Sequence, residues 1–228
     1  MQAYQLIRSR RKTIAVQVKK DGTVEVKAPN TMAQSDIDRF VEEKSEWISK
    51  RKQQAELARN FEIKDGSWIT VFGVEIPVLA VPDGQFEFKR AVKLDHSLMT
   101  IPEEADQNTI KREIIKIYKD LAEEIIFQRV AWYEQRMQLY PSKVRISNAS
   151  RRWGSCSSKK SINFSWKLAM ADGKAIDSVV VHELCHLRYM NHSKSFWQLV
   201  AQYCPDYQEQ RAKLNQLSEK LLSENWEL

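Results

Sequence analysis

Three of the four histidines in this 228-residue chain stand within eleven consecutive residues, and their spacing restricts what that segment can form. His182 and His186 are four residues apart, and Glu183 directly follows the first of them. On an α-helix, residues four apart lie about 40° apart around the axis and one turn along it, so both imidazoles can reach one ion. Glu183 then reaches past the ion toward a bound water. The segment therefore predicts a helix that carries an HExxH metal site.

Apolar neighbours indicate that this helix is buried. The run 179–181 is all valine, and Leu184 and Leu187 fall among the histidines. Buried histidines need polar partners, which a metal ion supplies. We expect the helix to run from about Ala175 to Met190.

His192 is the predicted third ligand. On a continuous helix it would lie about 9 Å from His186, too far to share its ion. We therefore expect the helix to end first, with Asn191 in a left-handed conformation and Ser193 as the N-cap of the next helix. Three imidazoles with one open position are typical of a catalytic zinc site. The rival third ligand is a carboxylate on a later helix, for which Glu209 is best placed.

Three sequence motifs resemble those of the YgjP-like metallopeptidase family, a relative of the WLM and SprT-type zinc proteases. The motifs are 152–156 (RWGSC), 180–187 (VVHELCHL) and 191–197 (NHSKSFW). The resemblance extends over nearly the whole chain. It implies an α+β, zincin-like metallopeptidase fold with a β-rich N-terminal half, one Zn²⁺ per chain and hydrolase activity. The histidine spacing also matches metzincins, but those carry Gly where this chain has Tyr189.

The predicted function is zinc-dependent hydrolysis of peptide bonds. In this prediction His182, His186 and His192 bind the metal, and Glu183 assists the attack of a zinc-bound water and then protonates the leaving amine. The developing oxyanion needs a further donor. Four candidates remain unranked: Arg152, Arg188, Tyr189 and Tyr207.

A loop before the helix is the predicted substrate-binding segment. It contains Arg152, Trp153, Gly154 and Ser155, and we expect it to form one edge of the cleft. Gly154 lets a substrate backbone approach, and strand addition is one way to hold an extended peptide. Trp153 fits a core aromatic equally well.

The N-terminal region, predicted as residues 1–102, is rich in β-strand patterns and contains one helix. Alternating apolar residues on either side of Asp21-Gly22 predict a hairpin. The helical pattern begins at Ser35, a suitable N-cap, and continues to about Arg59. Four short strands are expected within 68–101.

The catalytic region is predicted as residues 103–228. It opens with a long helix that follows Pro102 and ends near Leu139. Single strands are expected around Val144 and Ile162, and two more helices near 194–203 and 206–223.

Basic residues are concentrated just before the predicted metal-binding helix. The net charge is +6, and residues 143–174 hold eight basic side chains against one acid, Asp172. Such a run is either a solvated face or a surface that attracts an acidic peptide or a nucleic acid. Aromatic residues that can stack on bases are interleaved with it: Trp153, Phe164 and Trp166.

These charges motivate an alternative function. The chain would then be a nucleic-acid-associated binding protein, or a protease that acts on DNA-bound proteins. Glu183 favours the enzyme, because a purely structural metal site has no use for a carboxylate beside the ion.

The expected location is the cytoplasm. No stretch approaches the roughly 20 apolar residues of a membrane span, and the first eleven residues lack an apolar signal core. Three cysteines without a CxxC pair fit a reducing compartment. Cys185 lies between the histidines in sequence but points elsewhere on the helix, so we expect a buried thiol rather than a ligand.

Overall fold

A computed structural model describes residues 3–226 of the chain. Within that range it contains ten β-strands and six α-helices, which confirms the predicted α+β class. Backbone contacts divide it into two compact units, one of residues up to Glu62 with 218–226 and one of residues 63–217. The predicted boundary at residue 102, between a β-rich N-terminal region and a catalytic region, stays a prediction. The outer limits of these regions, residues 1 and 228, lie outside the described residues.

The first unit is built around strand β3. Its elements are β1 (Gln5–Ser9), β2 (Ala15–Val18), β3 (Val24–Pro29), α1 (Gln34–Glu43) and α2 (Ser45–Arg59). β3 is the central strand, parallel to β1 and antiparallel to β2. The predicted hairpin is confirmed: Gly22 has φ 83°, and its N–H donates to the Lys19 carbonyl at 2.9 Å.

The single helix predicted over 35–59 is two helices. Lys44 leaves helical geometry, with φ −100° and ψ 6°, and separates α1 from α2. The N-cap position is Ala33 rather than Ser35 and makes no side-chain hydrogen bond. The spacing of the apolar residues does not reveal the break. Val41 and Ile48, on either side of Lys44, are seven residues apart, which is about two turns of a continuous helix. Both are buried in the same core.

The second unit begins with a four-stranded sheet. Its strands are β4 (Trp68–Val71), β5 (Val74–Val81), β6 (Glu87–Lys89) and β7 (Leu98–Pro102), in the order β4-β5-β7-β6. All four strands were predicted. The β4–β5 turn is made by Phe72 and Gly73, both with positive φ (49° and 81°), as a tight hairpin requires.

This hairpin tip is hydrogen-bonded to the chain that leads into the helix with His182. The N–H of Phe72 donates to the Ala169 carbonyl at 2.7 Å, and that of Gly73 to the Met170 carbonyl at 3.1 Å. A side chain at Gly73 would stand 2.9 Å from the Cβ of Asp172. Glycine therefore allows the close approach.

The long helix α3 (Gln107–Met137) forms the centre of this unit. The Asp106 side chain caps it by accepting from two backbone N–H groups, and Gln138 ends it in a left-handed conformation. Its buried Tyr118 donates to the Thr70 carbonyl at 2.8 Å and stacks on Trp166, the first residue of a short 3-10 helix.

The remaining elements surround the candidate site. They are β8 (Lys143–Ser147), β9 (Gly154–Cys156), β10 (Ser161–Ser165), α4 (Gly173–Cys185), α5 (Lys194–Tyr203) and α6 (Tyr207–Leu221). The sheet order is β8-β10-β9, so β9 is an edge strand in the described chain. β9 corrects the predicted loop, since three residues are too few for an alternating pattern. No helix among residues 3–226 has the length and apolarity that a bilayer crossing requires.

Candidate metal centre

Helix α4 carries the first two residues of the site. Its N-cap, Asp172, accepts from the Ala175 N–H at 2.9 Å, and residues 179–181 are buried. His182 is half-buried, while Glu183 is 5% exposed. A firm cap and apolar packing thus fix the direction in which both side chains point.

The helix ends earlier than predicted, at Cys185 rather than Met190. His186 is the C-cap residue and still has helical backbone angles, φ −66° and ψ −19°. The N–H of Tyr189 then donates to the Cys185 carbonyl at 3.0 Å and closes the following turn.

The segment that returns His192 to the site differs in detail from the prediction. Asn191 is not among the described residues with positive φ, so the left-handed conformation expected there is wrong. Ser193 is the N-cap of α5, as predicted, and its hydroxyl accepts from the Phe196 N–H at 3.4 Å.

The three imidazoles come together between α4 and α5. One ligand atom from each of His182, His186 and His192 lies within 4.8 Å of the others. The Nε2 atoms of His182 and His192 are 3.1 Å apart. The ring centroids are separated by 4.9 to 5.1 Å. This is the spacing at which three imidazoles can converge on one ion.

The orientation of His186 is set by its other ring nitrogen. Its Nδ1–H donates to the Tyr189 carbonyl at 3.0 Å, which leaves Nε2 as the lone-pair nitrogen. A hydrogen bond of this kind is the usual way in which proteins orient a ligating histidine. The shortened helix end is what places that carbonyl within reach.

Burial favours the uncharged form of His182 and His186. It lowers the pKa of His182 to about 3, helped by the proximity of His186, His192 and Arg211. Burial also lowers the pKa of His186. Neutral imidazole is the form that binds a metal ion.

Glu183, the residue after His182, has one carboxylate oxygen unsatisfied. Its Oε2 is buried and has no hydrogen-bond partner in the described chain. Burial raises the pKa of Glu183 to about 8, an effect that the charge of Arg152 opposes. A buried carboxylate without a partner is costly, so such a group calls for a functional explanation.

Comparison with protein families agrees with this geometry. The model of the YgjP-like metallopeptidase domain matches residues 12–217, which include the three histidines and Glu183. The chain belongs to the YgjP-like family. Comparisons with curated proteins and with solved structures gave no match. The predicted family is confirmed, and the YgjP-like domain is a metallopeptidase that acts on peptides or proteins.

The residues of this YgjP-like domain fit the metal ion that the family implies. Three imidazoles supply nitrogen donors within 4.8 Å of one another, and Glu183, the residue after His182, has a buried carboxylate oxygen without a partner in the described chain. The rival Glu209 is outside the histidine cluster and pairs with Lys213 at 3.1 Å. Cys185 is buried, and burial raises its pKa to about 12, so its thiol stays protonated.

The predicted substrate-binding residues of the YgjP-like domain lie around β9. Arg152 is exposed, whereas Trp153 and Ser155 are half-buried; the Trp153 carbonyl accepts from the Ser165 N–H at 2.8 Å. A Cβ at Gly154 would stand 2.6 Å from Oε1 of Glu183. The absent side chain therefore makes room for the Glu183 carboxylate.

Of the aromatic residues around the histidines, Phe196 and Trp197 had no assigned role in the sequence prediction. Phe196 is fully buried, and its ring centroid lies within 5.0 Å of all three imidazoles. Trp197 and Tyr207 contact the cluster from α5 and α6. Tyr207 is thereby the one oxyanion candidate whose ring contacts a histidine of the cluster in the described chain. The sequence signal that could have indicated these aromatic contacts is the pair Phe196-Trp197, four and five residues after His192.

Proposed function

We propose that this chain is a zinc peptidase in which His182, His186 and His192 bind one zinc ion and Glu183 is the general base. The observation that carries the proposal is a cluster of three imidazoles, one of them within and one at the C-cap of the helix that also carries a buried carboxylate with an unpartnered oxygen, Glu183. Neither feature serves the stability of the fold. Both are explained by a metal ion and a water molecule.

Zinc suits this donor set, because imidazole is among its common ligands and three protein ligands leave a position open for chemistry. When bound, zinc supplies a Lewis acid that polarises the peptide carbonyl and makes water more acidic.

Glu183 moves the proton in the proposed reaction. Its carboxylate accepts a proton from the attacking water, and the low-polarity surroundings that raise its pKa favour this transfer. The same carboxyl group then delivers the proton to the leaving nitrogen. Gly154 leaves the space that the carboxylate occupies, because a Cβ there would overlap it.

The proposed substrate site is the free edge of β9. Arg152, Trp153, Gly154 and Ser155 lie in or just before this strand, and β9 is paired on one side only in the described chain. An extended peptide that pairs with the other side would pass next to Glu183. Backbone pairing of this kind supports binding with little dependence on side chains.

The deciding experiment is the substitution Glu183→Gln. We expect the variant to bind zinc as the wild type does and to lose hydrolysis of a peptide library, followed by mass spectrometry. Glutamine keeps the shape of the side chain but cannot accept the proton. Glu209→Gln is the matched control and is expected to keep both properties. Wild-type hydrolysis by Glu183→Gln would refute the proposed mechanism.

The family match does not favour the alternative of a nucleic-acid-associated binding protein, because the matched domain is a metallopeptidase. A protease that acts on DNA-bound proteins is a narrower possibility, and it depends on the basic segment 143–174. The cytoplasmic location stays a prediction.

A further inference from the structure

His192 differs from the other two histidines in how it is held. It is exposed and lies between α4 and α5, outside any helix. His182 is part of α4, and His186 is fixed by its hydrogen bond to the Tyr189 carbonyl. An exposed side chain in a connecting segment loses conformational entropy when it binds an ion, so its position needs another source of restraint.

The Trp197 ring stacks on the imidazole of His192. The two centroids are 5.4 Å apart, and the planes differ by 18°. Trp197 is itself held in the first turn of α5, where its N–H donates to the Ser193 carbonyl at 3.1 Å. The ring of Phe196 meets the same imidazole edge to face, with a centroid distance of 4.8 Å and an interplanar angle of 88°. Two aromatic rings therefore limit the rotation of His192.

The restraint continues to His182 through Tyr207. The ring centroids of Trp197 and Tyr207 are 5.0 Å apart. The Tyr207 ring lies nearly parallel to that of His182, with a centroid distance of 6.1 Å and an interplanar angle of 16°. Rings from α5 and α6 thus connect the two histidines whose Nε2 atoms face each other.

We propose that Trp197 is a positioning residue of the metal site, which holds His192 in the orientation that metal binding requires. The inference rests on the proposed function, because it assumes that the three histidines bind the ion. An indole face also favours a positively polarised partner, and an imidazole becomes one when its nitrogen binds a metal cation. Residues that orient metal ligands typically contribute about 10- to 100-fold to metal affinity.

The test measures zinc affinity by competition with a chelator, together with the visible absorption of the Co²⁺-loaded protein. Trp197→Leu and Trp197→Met remove the flat ring and are expected to lower the zinc affinity about 10-fold or more. Trp197→Phe keeps a stacking ring and is expected to stay within about 3-fold of the wild type, on the scale of such effects. The cobalt spectrum is expected to change in the first two variants and to persist in the third.

The matched control is Trp68→Leu, which removes an exposed tryptophan from β4 and is expected to leave affinity and spectrum unchanged. Thermal unfolding of the metal-free proteins identifies variants that do not fold. If Trp197→Leu does not fold, Trp197→Met is used in its place. Wild-type affinity and spectrum in the leucine or methionine variant would overturn the inference. A loss in Trp197→Phe as large as theirs would do the same. If the wild type binds no metal, or binds it without His192, the proposed function itself fails.

Discussion

At the scale of single residues, the Glu183 side chain occupies the space that a side chain at Gly154 would need. A Cβ at position 154 would stand 2.6 to 2.8 Å from three atoms of the Glu183 side chain. We expect Gly154→Ala to displace the carboxylate and to lower kcat about 100-fold, because small misplacements of a catalytic group have effects of this size. Zinc content should not change, since no histidine is touched.

The control for this substitution is Gly173→Ala at the start of α4, where an added Cβ meets nothing within 4 Å. Steady-state kinetics and metal analysis of both variants make the test. A wild-type kcat in Gly154→Ala would contradict the prediction, because it would show that the Glu183 carboxylate can accommodate the added Cβ.

The third ligand can be tested by a pair of alanine substitutions. We expect His192→Ala to weaken zinc binding strongly, because it removes one of three converging nitrogens. Glu209→Ala should leave zinc binding intact, since that carboxylate pairs with Lys213 outside the cluster. Chelator competition measures both. The reverse outcome would assign the third ligand to α6.

At the scale of the elements, the N-cap of α4 links secondary structure to the site. We expect Asp172→Ala to lower the free energy of unfolding by about 1 kcal/mol, because the Ala175 N–H loses its side-chain acceptor. Alanine retains the Cβ near Gly73, so the packing there is kept while the cap and the charge are lost. Chemical denaturation of the metal-free protein measures it.

Asp172→Asn is the control, since asparagine caps helices nearly as well as aspartate. Equal destabilisation by both substitutions would assign the effect to the charge, which lies 3.8 Å from Lys213, rather than to the cap.

The elements also show which parts of the site could be predicted. His182 and His186 were found because helical spacing is a local property of the sequence. The end of α4 was not, because the turn depends on contacts of His186 and Tyr189 that no spacing encodes. Trp197 and Tyr207 belong to different helices, so their meeting at the histidines is a property of the tertiary structure alone.

The strands show the same division. The hairpin at Asp21-Gly22 and the four strands β4–β7 follow from alternation and turn residues. β1 lacks such a signal: it is a mostly exposed strand that pairs in parallel with β3. The break between α1 and α2 at Lys44 could not be predicted from the sequence, because it does not change the periodicity of the apolar residues.

At the scale of the whole molecule, the basic segment 143–174 remains open to two interpretations. Seven of its eight basic side chains are exposed, as either a solvated face or an anion-binding surface requires. Lys159 and Lys160 lie in the turn between β9 and β10. A partner attracted by this charge would approach close to the proposed substrate edge.

We expect Lys159→Glu/Lys160→Glu to weaken the binding of duplex DNA at low salt without unfolding the protein. The attraction should decrease as the salt concentration rises, because it depends on released and screened counterions. Lys64→Glu/Lys93→Glu makes the same change in net charge at exposed positions elsewhere and should have a smaller effect. A titration that detects no DNA binding by the wild type, or equal binding by all three proteins, would leave the segment as a solvated surface.

The β4–β5 hairpin tip has a consequence for dissecting this chain. Its two N–H groups satisfy the carbonyls of Ala169 and Met170, about a hundred residues later in the sequence. A fragment that begins at residue 103 keeps every histidine of the cluster but loses these donors, and it exposes the approach to Asp172. Such a truncated protein should bind metal poorly even though its ligands are intact. We therefore expect a fragment that keeps the strands from Trp68 onward to bind zinc more tightly than one that begins at residue 103, which chelator competition on the two fragments measures.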